Sequence, residues 1–425
     1  MIRSNRFNGL HSVGIFESIG STHMFSVDDV AYITRKIPRD IVVYEIQPRT
    51  ILSNRSHLGL RESIVSFPVE VMLPVGYHTK PYYFPHDHRN RSKYLLGRAC
   101  EKGYVNIIRI LIADPRVDPS DDSNEAIHQA SRIGNLEVVK LLLADSRVDP
   151  SAGKNKAIRS ASLFGNIEVV TRLLADSRVD PSAGHNRAIR WASRNGHAEV
   201  VKLLLADPRV DPSAGDNFAI REASRNGHIE IVTRLLADPR VDPSDHDNEA
   251  IRDASRNGHI EVVELLLADP RVDPSDDDNN AIRWASENGH LKVVKLLLAD
   301  PRVDPSDDGN HAIRYASRNG HLEVVELLLA DPRVDPSVKN NEAIRYALYS
   351  EHLEVVYLLL ADSRVDPSAN DNEAIRRSLS YGYTEIVRLM LADPRVDVSD
   401  YYNFDIRYAP RNGHPRDDRI CCMII

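Results

Sequence analysis

The chain has 425 residues, 42% of them hydrophobic and only 6% aromatic, with a formal net charge of −8. That balance belongs to a folded soluble chain and excludes a disordered or collagen-like one. The acidic sign argues against nucleic acid as the main partner, because phosphate binding needs a basic face. Three cysteines, Cys100, Cys421 and Cys422, cannot build a disulfide framework, so the expected setting is reducing, intracellular and cytoplasmic. No stretch approaches the length of a membrane-spanning helix. The opening MIRSNRFNGLHSVGIFESIG lacks the long apolar core of a secretion signal.

Residues 1–92 do not repeat. Val27 to Lys36 reads as a helix and Ile41 to Ile46 as a strand. Ser63 to Val75 alternates loosely, but Pro68 and Pro74 confine it to an edge or break it. Pro81 to Arg89 reads as a loop, and its His86-Asp87-His88 has no companion ligands nearby. Two readings stay open: an irregular cap over the apolar face of the first repeat, or a small α+β module that recruits other machinery, for instance a ubiquitin ligase.

From about Lys93 the chain repeats itself. Asn recurs at 124, 155, 186, 217, 248, 279, 310, 341, 372 and 403, always 31 residues apart, with no insertion or deletion. A fixed period of this size is the mark of a solenoid, in which each unit stacks on its neighbours. Tyr94 to Asp114 is a degenerate first copy with Ala99 and Gly103 in register. Residues 93–402 hold ten copies, 403–414 a truncated half copy that serves as a C-terminal cap, and 415–425 a tail. Pro410 and Pro415 break the half copy, since proline inside a helix costs about 3 kcal/mol. Glu351 in place of the helix-ending Gly, and Val398 in place of a loop proline, make the C-terminal third the less stable part.

One unit predicts two helices and a stiff loop. In the copy at Asn248 the first helix covers Asn248 to Ser255, with Asn248 as its N-cap and Ala250, Ile251 and Ala254 as a narrow apolar stripe. Gly258 ends it. The second helix, His259 to Ala268, has a broad apolar face that needs neighbouring units to cover it. Pro270 and Pro274 make the following loop rigid and extended.

Helix, turn, helix and Pro-bearing loop at this period resemble the ankyrin repeat. Ala281-Ile282-Arg283-Trp284-Ala285-Ser286 stands in the place of that family's TPLHxAA, and Asn288-Gly289-His290-Leu291-Lys292-Val293-Val294-Lys295-Leu296-Leu297-Leu298 matches its xGHxEVVxLLL closely, with Lys292 replacing the Glu. Ala-Ile-Arg replaces Thr-Pro-Leu-His, and Asp-Pro-Arg-Val-Asp-Pro-Ser replaces the usual GADVNA, which puts the projecting β-finger in doubt but not the stacked helical pairs. The shortened unit is similar to arrays in large DNA viruses of protists. The resemblance implies an all-α solenoid of stacked helical pairs with a concave face built from first helices and adjoining turns. Ten units at ~10 Å each would make a curved rod about 100 Å long.

Several columns run through the copies. First-helix arginines (Arg159 to Arg407) and loop arginines (Arg209, Arg240, Arg271, Arg302) read mainly as structural ladders bonding loop carbonyls or Asp side chains of adjoining units; the other reading is a stripe that grips an acidic partner. The histidine column (His197 to His352) cannot share a zinc ion, because its rungs are ~8–10 Å apart. Acidic turns such as Asp276-Asp277-Asp278 lack the spacing of a calcium loop.

One position varies against this background. Following the first-helix Arg stand Gln129, Ser160, Trp191, Glu222, Asp253, Trp284, Tyr315, Tyr346, Arg377 and Tyr408, including both tryptophans of the chain. The residue after each Asn varies as well. Trp191, Glu222, Asp253, Trp284, Tyr315, Tyr346 and Arg377 are the candidate partner-binding residues, since Trp, Tyr and Arg dominate interface hot spots. The competing reading has the aromatics filling space between first helices.

The chain ends Cys421-Cys422-Met423-Ile424-Ile425, so Cys422 fits the prenyl acceptor of a C-a-a-X motif and Cys421 a second lipid site. Membrane association is expected only through that lipid. No catalytic constellation, metal set or cofactor motif appears. The expectation is a non-enzymatic, monomeric scaffold binding a protein partner, with no nucleic acid and no cofactor. The alternatives are an adaptor recruiting through residues 1–92, or a prenylated, membrane-tethered form.

Overall fold

The computed structural model describes residues 96–396 in full and the backbone of residues 2–7 and 10–15. The chain divides into two compact units, Met1–Pro181 and Ser182–Ile425. The expected helix at 27–36, the strand at 41–46, the half copy at 403–414 and the tail cysteines lie outside the described residues.

In the first unit, strands Ile2–Phe7 and Leu10–Ile15 pair antiparallel, in register from Ile2 opposite Ile15 to Phe7 opposite Leu10. Sequence reading passed over this hairpin. Its signal is Asn8-Gly9 between two six-residue runs, the dipeptide that favours a two-residue hairpin turn. The same unit contains first helices Asp121–Ile133 and Ala152–Leu163, which pack together. Second helices Val105–Ala113, Leu136–Ala144 and Ile167–Leu174 pack in the same order. Ile108, Ile127, Leu142, Ile158 and Leu173 are fully buried between these two rows. Cys100 is buried too, and burial pushes its thiol up to about 12.

The second unit repeats one arrangement. First helices Ala183–Arg194, Ala214–Arg225, Asp245–Arg256, Asp276–Glu287, Asp307–Arg318, Val338–Tyr349 and Ala369–Tyr381 pack each on the next. Second helices from Ala198–Leu205 to Thr384–Leu391 form the other layer. In the copy at Asn279 the first helix buries Ala281, Ile282 and Ala285, the second buries Val293, Val294 and Leu297, and the loop adds Val303. Each large aliphatic side chain so covered contributes roughly 1.5–3 kcal/mol. Alanines at two of these positions let adjacent first helices approach closely.

The start of the first helix differs from expectation. Inside the opening of each range lies a left-handed turn of three residues: in this copy Asp277, Asp278 and Asn279, with φ of 53°, 55° and 55°. The right-handed helix begins only after the Asn. A non-glycine residue in this region costs roughly 1–2 kcal/mol, and Gly, Asn, Asp and His tolerate it best, which are the types that prevail at these positions. The Asn side chain does not cap its own helix. Asn279 Oδ1 accepts the backbone N–H of Asp304 at 2.8 Å, and Nδ2 donates to Asp307 at 2.8 Å, both in the next repeat. Cross-repeat bonding therefore replaces N-capping.

At the other end the geometry is a Schellman motif. His259 N–H bonds the Ala254 carbonyl and Gly258 N–H the Ser255 carbonyl, with Gly258 at φ 76°. Glycine is needed here twice over, because a Cβ at Gly258 would stand 2.6 Å from His290 Nδ1 of the next repeat. The His290 Nε2–H donates to the Arg256 carbonyl at 2.9 Å. The histidine column is therefore a set of clasps on the end of the preceding first helix.

The loop is held as firmly. Arg271 grips Asp269 through Nε (2.9 Å) and Nη2 (2.6 Å), while Nη1 donates to the Val241 carbonyl of the preceding repeat at 2.7 Å. Asp273 accepts the N–H and hydroxyl of Ser275 at 3.0 and 2.7 Å, closing the turn around Pro274. The Arg271 guanidinium lowers the Asp269 carboxyl below its ordinary value, and the same pairing recurs from Asp145 to Asp393.

Candidate partner-binding surface

The seven sequence-predicted residues fall at one register of the first helices of the second unit, one per repeat. None is fully exposed. Trp191, Glu222, Trp284, Tyr315, Tyr346 and Arg377 are half-buried, and Asp253 is buried at 7%. Burial holds the Asp253 carboxyl above its ordinary value against the opposing pull of Arg225.

Five of them, Glu222, Asp253, Trp284, Tyr346 and Arg377, meet a residue on the preceding first helix, 28 positions earlier. Arg194 pairs with Glu222 at 3.3 Å and Arg225 with Asp253 at 3.9 Å. Arg256 lies over the Trp284 ring at 5.1 Å and Arg318 over Tyr346 at 5.8 Å. Tyr315 and Tyr346 meet edge to face at 5.9 Å, and His311 stacks on Tyr315 at 3.9 Å. Arg377 lies over Tyr349 at 3.4 Å and pairs with Glu373 at 3.3 Å. The partners Arg194, Arg225, Arg256 and Arg318 were not singled out from sequence. Their signal is positional: one helical turn after a varying residue places them beside the varying residue of the next repeat.

A second row runs alongside. Each first-helix arginine donates to carbonyls of its own left-handed turn, as Arg314 does to Gly309 (2.9 Å) and Asp308 (3.1 Å). In the five from Arg221 to Arg345 the same guanidinium meets a carboxylate from the next repeat. Arg221 pairs with Glu249, Arg314 with Glu342, and Arg345 with Glu373 at 2.8 Å, all 28 residues on. Where that position is Asn280 or His311, an Asp three residues earlier takes over: Arg252 pairs with Asp277, and Arg283 with Asp308 at 3.0 Å. Burial and the charges of Arg283 and Arg314 pull His311 down to about 4, so it stands neutral.

Among the described residues no cluster of three or more His, Cys, Asp or Glu could hold a metal ion, and no helix is long and apolar enough to cross a membrane. The arrangement offers a row of half-buried aromatic and charged side chains on rigid helices, suited to recognising another surface.

A family model described as Ankyrin repeats (3 copies) matches residues 77–154, 157–247, 189–278, 251–340 and 315–400. A search of curated proteins found no match. Stacked helical pairs, Gly-terminated first helices and a family match over most of the chain agree, and the chain belongs to the ankyrin-repeat family.

Proposed function

We propose that this chain is a non-enzymatic scaffold whose repeats bind a protein partner through the face formed by first helices and adjoining turns, the concave face of an ankyrin array. Ankyrin repeats generally mediate protein–protein interaction. The observation that carries the reading is the contrast between positions. Asn, His and loop Arg are consumed in bonds between repeats and Gly in a close approach to the next His, whereas the stripe from Trp191 to Arg377 changes from copy to copy and, Asp253 excepted, keeps part of each side chain in solvent. Trp191, Trp284, Tyr315 and Tyr346 are the anchors, with Glu222, Asp253 and Arg377 setting charge preference.

The test compares affinity capture from cells by the full chain, by a variant with all four anchors changed to Ala, and by a control with Lys202, Glu264, Lys295 and Glu326 changed to Ala on exposed second-helix surfaces. The anchor variant should lose partners that the control keeps, with circular dichroism matching wild type. Equal capture by the anchor variant and wild type would sink the reading.

A further inference from the structure

In the second unit, every first-helix arginine from Arg221 to Arg345 meets a carboxylate supplied by the following repeat. Arg190 is different. The two positions that supply the acid elsewhere, 28 and 25 residues on, are occupied here by Phe218 and Gly215. The Arg190 guanidinium lies over the Phe218 ring at 4.2 Å, and its Nη1 donates to the His185 carbonyl at 3.5 Å. The nearby carboxylate, Asp216, is exposed and faces His246 at 3.4 Å. Exposed Arg187 sits one turn away, over the Trp191 ring at 5.0 Å. Burial, then the charges of Arg187 and Arg221, pull Arg190 below its ordinary value, with Asp216 acting the other way.

We propose that Arg190, with Arg187, receives an Asp or Glu side chain from an acidic peptide segment of the partner, completing from outside the rung that Glu249, Glu342 and Glu373 complete from within. The inference rests on the first-helix face being the binding face. Five rungs of the same unit show that a guanidinium at this position accepts a carboxylate presented from the next repeat's side. Phe218 and Trp191 flank the site with apolar surface that strengthens a charged pair by excluding water. A short acidic segment fits better than a polyphosphate chain, because the rungs beyond carry Glu249, Asp277 and Asp308, and the whole chain is at −8.

The probe is a fluorescein-labelled heptaglutamate peptide, titrated with the full-length chain at low and raised salt and followed by anisotropy. Heptaglutamine and an oligothymidylate of matched length serve as comparisons. Binding of the glutamate peptide should weaken with salt. It should fall about tenfold or more in Phe218→Glu, which supplies the carboxylate within the chain, and in Arg190→Gln. Phe218→Glu should melt at or above the wild-type temperature. The proposal is overturned if Phe218→Glu and Arg190→Gln, both folded, bind as wild type. It is also overturned if heptaglutamine binds as well as heptaglutamate, or if oligothymidylate binds more tightly. If the peptide fails while the four-anchor variant still loses its cellular partners, the acidic specificity falls and the scaffold reading stands.

Discussion

Asn279 and Asp304 lie 25 residues apart, yet the Asn279 carboxamide oxygen accepts the Asp304 backbone N–H at 2.8 Å. The same bond joins Asn248 to Asp273 and Asn310 to Asp335 at 2.8 Å. The Asn is buried and locks its own left-handed turn to the loop of its neighbour. Asn279→Ala should cost about 1 kcal/mol or somewhat more, because it leaves the part-buried Asp304 N–H without its partner as well as losing the bond to Asp307. Asn279→Asp should cost more, since it trades a donor for a carboxylate facing Asp307. Urea unfolding of the three proteins checks both the sign and the order.

The second joint to test is the one that departs from pattern. Glu351 occupies the glycine position at φ 63°, and the histidine that would meet it in the next repeat is replaced by Tyr383. Burial and the Glu351 carboxylate push the Tyr383 phenol up to about 12. Restoring the common pair with Glu351→Gly and Tyr383→His should stabilise the joint by roughly 1 kcal/mol, through relief of the left-handed strain. Slower amide exchange across 353–391 would register the gain; unchanged exchange would mean this joint does not limit the C-terminal repeats.

The rungs allow a transposition. Arg252 meets Asp277 because the later position is Asn280, whereas Arg221 meets Glu249 because the earlier one is His246. Asp277→His with Asn280→Glu copies the second pattern into the first. The double variant should lie within about 0.5 kcal/mol of wild type, while Asp277→His alone should lose more. A double-mutant cycle by thermal melting reads the coupling.

Acid should loosen the array in a defined window. The loop aspartates, from Asp145 to Asp393, have folded values below the ordinary 3.8, and Asp393 lies at about 2, held down by Arg395. A carboxyl depressed in the folded state contributes stability above its unfolded value and loses it as pH falls through the folded value. Melting temperature should therefore hold from neutrality to about pH 4 and drop between about 4 and 2. Many of these arginines are about 40% exposed, so salt should flatten the drop.

The period, the two helices of each copy and their apolar stripes were legible because the positions of Ala281, Ile282, Val293 and Leu297 stay apolar at helical spacing from copy to copy, with only exchanges such as Ile231, Ile386 and Met390. The varying register from Trp191 to Arg377 was legible for the same reason. The left-handed turns were not, because Asp277-Asp278-Asn279 carries the same residue types as a solvated turn or an N-cap. What selects the rarer conformation is a bond to a residue 25 positions away. The rungs were hidden too, since an offset of 28 or 25 acquires meaning only once the faces of successive first helices are known. The hairpin at Ile2–Phe7 and Leu10–Ile15 carries its signal in Asn8-Gly9, while its strands lack the strict apolar alternation that marks a half-buried sheet.

Among the described residues, the side-chain hydrogen bonds between repeats join positions such as Arg271 and Leu236, 35 apart. Loop closure over so short a span is entropically mild, and chains dominated by such local contacts fold fast for their size. Evolution by duplication meets little resistance from such a chain: a copied unit brings its Asn, Gly, His and loop Arg to joints that already fit. The rungs impose a grammar on that freedom. A unit carrying Asp at the earlier position and one carrying Glu at the later position both satisfy the arginine before them, whereas the unit beginning at Gly215 satisfies neither way. Copy number is thus easy to change, while the order of the copies records which first-helix arginines find their carboxylate inside the array.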